Sequence, residues 1–175
     1  MSSQYLQLYK MIVLYMLGKS DTQLSKSQIY DFILEKEYTN FLTLQEVFSE
    51  LADSGLIIER NSANRTYLEM TSEGKTTLGY FENRISPSIV EEINDYFKKN
   101  GVKLRNESSI RADYFQAGEN DYTVHMTAKE NGITLVDISL NTPSEEAAQG
   151  VCDAWQKKNA DIYAYLVSEL MMYNY

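Results

Sequence analysis

The chain has 175 residues, with 16 Lys and Arg against 25 Asp and Glu, a formal charge of −9, one His and one Cys. A single Cys excludes an intrachain disulfide framework and suits a reducing compartment, and one His with one Cys leaves no zinc site of the usual Cys/His kind. At 43% hydrophobic and 23% charged residues the composition is that of a folded soluble protein of one or two small domains, and its acidity argues against a wholly basic nucleic-acid binder without touching a local patch.

The most apolar stretch, residues 11–17, is far shorter than the roughly 20 residues a spanning helix needs. The opening Met1-Ser2-Ser3-Gln4-Tyr5 lacks the basic start of a signal peptide, so a cytoplasmic location and no membrane partner are expected. Residues 6–17 are apolar on most sides and predict a helix buried on more than one face, ended by Gly18. Ser25-Lys26-Ser27-Gln28 has the form of a capping box, and Ile29, Phe32 and Ile33 behind it share one face of a short helix ending near Lys36. Thr43-Leu44-Gln45-Glu46 reads as a second capping box. The helix behind it carries Leu44, Val47, Phe48 and Leu51 at i, i+3, i+4 and i+7, and Gly55 stops it at C′.

The period then changes. Residues 56–60 and 66–70 read as paired strands around the polar turn Asn61-Ser62-Ala63-Asn64-Arg65. Thr71 caps a further helix over residues 72–85, with Leu78, Phe81, Glu82 and Ile85 along one side. Three helices, a hairpin and a return helix make a winged helix-turn-helix domain over residues 1–85.

The second domain, residues 86–175, opens with Ser86 as N-cap and Pro87 at N1. Ile89, Val90, Ile93 and Phe97 share a face of that helix, which is expected to end near Asn100-Gly101, with residues 102–105 available as an edge strand. Residues 110–116, 122–129 and 133–140 read as strands, joined by Ala117-Gly118-Glu119-Asn120-Asp121 and by Asn131-Gly132, a dipeptide that tolerates positive φ at both positions. Thr142 as cap, Pro143 at N1 and Glu145 at N3 begin another helix with Ala148, Val151, Cys152 and Trp155 on one face. A last helix from about Asn159 buries Ile162, Leu166, Val167 and Leu170. The fold class is thus α+β: a winged helix followed by a small antiparallel sheet covered by helices.

The run Leu51-Ala52-Asp53-Ser54-Gly55-Leu56-Ile57, the hairpin, and Met70-Thr71-Ser72-Glu73-Gly74-Lys75 resemble the corresponding stretch of winged-helix regulators of the PadR and MarR types. In those families a leucine, any pair, serine-glycine-leucine-isoleucine exit precedes the wing, and threonine-x-x-glycine opens the next helix. The likeness covers roughly residues 5–85. More narrowly, Tyr38-Thr39-Asn40-Phe41 and Tyr80-Phe81-Glu82-Asn83-Arg84-Ile85 resemble an uncharacterised clostridial-type family that joins such a head to a C-terminal domain of unknown function. That second resemblance implies no activity.

A DNA-reading domain of this kind inserts its third helix in the major groove and lays its wing beside the backbone. The candidates are Thr43, Gln45 and Ser49 on the outward face of that helix, with phosphate contacts from Lys26 and Gln28 and from Arg60, Asn64 and Arg65 on the wing. The expected function is a DNA-binding transcription regulator working as a homodimer on double-stranded DNA, with the second domain for dimerisation or sensing of an unknown small-molecule effector. Against this, Glu46, Glu50 and Asp53 give the third helix three negative charges and no Lys or Arg, although the capping box explains Glu46. The alternative is a winged-helix protein–protein interaction module, because an acidic helix suits a basic protein partner. Residues 1–85 carry 8 basic and 11 acidic groups and residues 86–175 carry 8 and 14, so most of the acidity lies outside the expected reading head.

No catalytic constellation is visible, and neither enzyme, cofactor nor metal is expected. His125 sits in a strand pattern with no Cys near it, and Cys152 lies on an apolar helix face. Glu91-Glu92 and Glu145-Glu146 are first-turn charges favoured by the helix dipole. Tyrosine is frequent, at 14 residues, and clusters at Tyr163, Tyr165, Tyr173 and Tyr175. Most of this serves packing; the sharper expectation is that the last helix, ending Leu170-Met171-Met172-Tyr173, is a dimer face.

Overall fold

Six consecutive residues, Met11 through Met16, are buried in the first helix of the computed structural model, which describes residues 3–62 and 65–171. Ala63, Asn64, Met172, Tyr173 and Tyr175, named above for the wing turn and the dimer face, lie outside the described residues. That first helix, α1 (Ser3–Lys19), is the apolar rod that its sequence predicts, and the rest of the first core packs around it. The chain continues through β1 (Leu24–Ser25), α2 (Lys26–Glu35), α3 (Phe41–Asp53), β2 (Ile57–Ser62), β3 (Arg65–Met70) and α4 (Ser72–Phe81), which runs into a 3-10 turn at Glu82–Arg84. Then follow α5 (Pro87–Ser109), β4 (Ile110–Gly118), β5 (Asp121–Glu130), β6 (Ile133–Thr142) and α6 (Glu145–Leu170). The fold is mixed α+β, with six α-helices and two three-stranded antiparallel sheets among the described residues, ordered β1-β3-β2 and β4-β5-β6.

The chain divides into two compact units, Met1–Arg105 and Asn106–Tyr175. The boundary expected just before Ser86 differs from this division by nearly the whole of α5, which buries Ile93 and Leu104 in the first core.

In the first unit, the capping box of α2 forms as its sequence predicts. The Gln28 N–H donates to Ser25 Oγ at 3.3 Å and the Ser25 N–H donates to Gln28 Oε1 at 2.8 Å. Ser25→Ala is expected to cost about 1 kcal/mol, read as a lower urea midpoint at unchanged slope. The capping box expected at Thr43 is absent. Asn40 is the N-cap, its Oδ1 accepting from the Thr43 N–H at 2.9 Å, so α3 starts at Phe41 and Glu46 has no capping role. The α3 exit is a Schellman turn: Leu56 N–H donates to Leu51 O at 2.9 Å, Gly55 N–H to Ala52 O at 3.0 Å, and Gly55 takes φ +70°.

The two-residue β1 was not expected. It pairs antiparallel with β3, Leu24 opposite Leu68 and Ser25 opposite Tyr67. Asn61, Ser62 and Arg65, expected in the turn, lie in strands, with Ser62 opposite Arg65. The expected helix over 72–85 is divided between α4 and the 3-10 turn, and of its proposed stripe Ile85 is buried whereas Phe81 and Glu82 are exposed.

Helix α5 passes through Gly101 instead of ending there, and residues 102–105 are helical rather than strand. A mid-helix glycine costs roughly 1 kcal/mol. Burial of Leu104 and the bond from Asn100 Nδ2 to Tyr96 O at 2.9 Å hold the helix across it.

In the second unit, β4, β5 and β6 form a meander. Asn131 and Gly132 both take positive φ, 50° and 78°, as the dipeptide predicts. The α6 cap is Ser144, whose Oγ accepts from the Ala147 N–H at 3.1 Å; Thr142 instead ends β6 and donates to Tyr122 O at 3.2 Å. One helix stands where two were expected, because Asn159 Nδ2 bonds back to Trp155 O at 2.9 Å and lets α6 continue. Ala148, Cys152 and Trp155 are its buried face, set against Ala112, Val124, Met126 and Ala128 of the sheet.

Candidate nucleic-acid interface

The apolar stripe Leu44, Val47, Phe48 and Leu51 fixes which way α3 faces, and all four are buried. Gln45 and Ser49, one helical turn apart, are therefore exposed together, with Glu46 exposed beside them and Asp53 exposed at the helix end. Thr43, expected on this face, is buried in the first turn. Gln28 is also buried, its carbonyl committed to the α2 cap, so neither residue belongs to an open surface.

The basic candidates are drawn into pairs within the unit. Lys26 Nζ lies 2.5 Å from Glu59 Oε1 and 5.4 Å from the Phe48 ring centroid, so one lysine bridges the start of α2 to β2 and covers the α3 stripe. Arg60 Nε donates to Glu69 Oε2 at 2.9 Å across the hairpin. Arg65 is exposed at the start of β3, and Asn64 lies outside the described residues. Glu50, one of the acids weighed against DNA binding, pairs with Lys10 of α1. The three charges of α3 thus reduce at its surface to Glu46 and Asp53, with Glu50 compensated. Glu59 also acts on Tyr30, whose hydroxyl is pushed above its ordinary range by burial and then by that carboxylate.

Sequence reasoning missed an apolar element of this surface. Phe41 and Leu42 open α3, both exposed, Leu42 at 75%, and Leu34 at the end of α2 is exposed too. Phe41 stacks on Tyr30 at 4.7 Å between centroids. The periodicity gave no hint of them, because a helix starting at Thr43 leaves both in a loop.

The lone Cys and the lone His lie elsewhere, in the second unit. Burial pushes the Cys152 thiol up, with Asp113 and Asp153 adding to it, and a thiol held protonated is a poor nucleophile. His125 Nε2 lies 2.6 Å from Asp137 Oδ1 on an open strand face. Among the described residues no group of three His, Cys, Asp or Glu is placed to hold a metal ion, and no helix is long and apolar enough to cross a membrane. The pattern of the family described as Domain of unknown function (DUF4364) matches residues 9–170. No curated protein and no solved structure matches the chain.

Proposed function

From the premise that this chain belongs to the DUF4364 family, we propose that its first unit is a winged helix, and that the protein is a cytoplasmic, non-enzymatic DNA-binding transcription regulator. The observation that carries the reading is the topology of the first unit. A short strand precedes two helices and pairs with the second strand of the following hairpin, giving the order β1-β3-β2, while α3 keeps a polar outward face. A winged helix with this order reads the major groove through α3 and the backbone through the hairpin. Gln45 suits an adenine edge and Ser49 several bases. The second unit then supplies dimerisation or effector sensing.

The ion pairs of Lys26 and Arg60 moderate this reading without ending it. Arg60 and Glu69 are both more than half exposed, and exposed pairs contribute only about 0–1 kcal/mol, so a phosphate can compete for the cation. Glu59 and Glu69 remain beside it, so few counterions are released and the salt dependence is shallow. Titration of the full chain against mixed genomic DNA fragments at low and high salt tests the reading. Binding should weaken as salt rises. Arg60→Ala and Arg65→Ala should each weaken it on every fragment and lower the salt slope by about 1, whereas Gln45→Ala should relax preference at one base pair. Absence of binding at low salt overturns the DNA reading.

A second reading has its own observation. Leu34 at the end of α2 and Phe41 and Leu42 at the start of α3 are exposed apolar side chains, with Glu46 close by in sequence, the composition of a docking surface for a basic amphipathic partner. Under that reading Leu42→Ser abolishes partner binding and DNA binding is absent at any salt.

A further inference from the structure

An edge strand presents a row of backbone N–H and C=O groups that can template another strand, and proteins blunt such edges with charges, prolines or bulges. The order β4-β5-β6 gives the second sheet two edges, and they differ. β4 carries Arg111 and Asp113 and breaks register between Gln116 and Gly118. β6 runs for 10 residues, Ile-Thr-Leu-Val-Asp-Ile-Ser-Leu-Asn-Thr, with no Lys, Arg, Pro or Gly, and its own register shift, with Leu135 as the extra residue, leaves Val136 to Thr142 in unbroken register with β5. Its one charge, Asp137, is engaged by His125. Ile133 and Leu140 on it are 67% and 46% exposed, and among the described residues β6 pairs only with β5. Beyond that bulge, from Val136 to Thr142, the edge lacks the usual protection.

We propose that β6 pairs antiparallel with β6 of a second copy of this chain, about a two-fold axis at Ile138, joining two three-stranded sheets into one of six strands. The polarity of the strand suits a second copy of itself in this register. Val136 and Ile138 pack on the core beneath α6, and Leu140 follows on that face by alternation, while Asp137, Ser139 and Asn141 point to the other. With Ile138 opposite itself, Val136 meets Leu140 and Asp137 meets Ser139 in both halves. Apolar side chains then continue the core face across the junction, and a carboxylate faces a hydroxyl. A slip of one residue puts Asp137 against Ile138, and an axis at Asp137 puts two carboxylates together, which is destabilising. The strand is complementary to itself in this register. Each copy carries −9, and a strand with a single charge is where two such chains meet with little repulsion.

The proposal gives a surface to the dimerising role assigned above and rests on that part of the reading alone, so its test uses no DNA. Sedimentation equilibrium of the full chain should show a dimer. Ser139→Asp sets a second carboxylate opposite Asp137 twice by symmetry, while within its own chain it faces His125, the Cα partner of Ser139, so the protomer tolerates it. Dimer dissociation should rise about tenfold or more. Ser139→Lys, which sets opposite charges across the same junction, should hold the dimer or tighten it. Ile138→Cys should give a disulfide-linked dimer with oxidised glutathione, since directly opposite Cβ atoms lie about 5 Å apart, and the wild type, whose Cys152 is buried, should not. A monomeric wild type, a dimer to which Ser139→Asp is indifferent, equal weakening by both Ser139 variants, or no cross-link through Ile138→Cys overturns the proposal.

Discussion

Gly74→Ala lowers the stability of the first unit by about 3 kcal/mol, read as a fall in the urea midpoint at unchanged slope. A Cβ at this buried position would sit 2.2 Å from Leu56 O and 2.8 Å from Met70 Cγ. The methionine can turn away, since its side chain is flexible. The carbonyl cannot. Leu56 O accepts from the Thr71 N–H at 3.0 Å, and the Leu56 N–H donates to Leu51 O, closing the α3 exit. The Gly74 N–H is itself bound to the capping Thr71 Oγ1 at 3.0 Å. Relief would therefore have to move the end of α3 or the start of α4, and both are hydrogen-bonded in place. Gly79→Ala in the same helix meets nothing within 4 Å and should instead stabilise by up to about 1 kcal/mol. A Gly74→Ala loss no larger than about 0.5 kcal/mol, inside the range of surface substitutions, would show that α4 does not approach Leu56 as closely as described. The threonine-x-x-glycine pattern at Thr71 to Gly74 thus has a physical cause: one residue caps the helix, and the other lets it lie on the backbone of the α3 exit.

Such a pattern is legible in a sequence because its parts are neighbours along the chain. The same holds for Ser25 with Gln28, for Gly55 in its left-handed turn, and for Asn131-Gly132. A sequence is ambiguous where two residues could do one job. Asn40 and Thr43 are both good caps, as are Thr142 and Ser144, and a distant contact decides between them. Phe41 stacking on Tyr30 holds the first turn of α3 and carries Thr43 inward. Gly101 and Asn159 are break signals that the fold overrides, by burial of Leu104 beyond the first and by the local bond from Asn159 Nδ2 to Trp155 O at the second. A strand of two residues has no period to detect, and β1 exists only because β3 is there to pair with it.

The candidate interface divides along the same line. Gln45 and Ser49 follow from subtracting the apolar stripe of α3, and that subtraction needs only periodicity. What neutralises the basic candidates is non-local: Glu59 for Lys26, Glu69 for Arg60, and Lys10 for the acidic Glu50. Composition counts these charges but cannot pair them. Gln28 was a different case, because its role in the α2 cap already competes with any contact to phosphate, and burial removes it from the surface.

Trp155→Ala should remove most of the stability of the second unit, a loss of about 4 kcal/mol where small domains hold only some 5–15 kcal/mol in all. Trp155 is 1% exposed, and the buried residues around it are small or flexible: Ala112, Val124, Met126, Ala128, Ala148 and Cys152. None of these six is large enough to fill the void it would leave. Its indole Nε1 also donates to Thr127 O at 3.2 Å, tying α6 to the central strand of the sheet. Trp155→Phe keeps much of the apolar area but drops that bond, so it should fall between wild type and alanine. Because the chain has one Trp, wild-type fluorescence follows the unfolding of this unit alone. Amide exchange in β4, β5 and β6 follows it in the variants, and the alanine variant should lose protection across all three. The edge of β6 exists only while the sheet is folded on α6, so a β6-mediated dimer should dissociate with it. If Trp155→Ala instead left the sheet protected, the core would not be centred on this indole, and the face that Val136 and Ile138 extend would need another support.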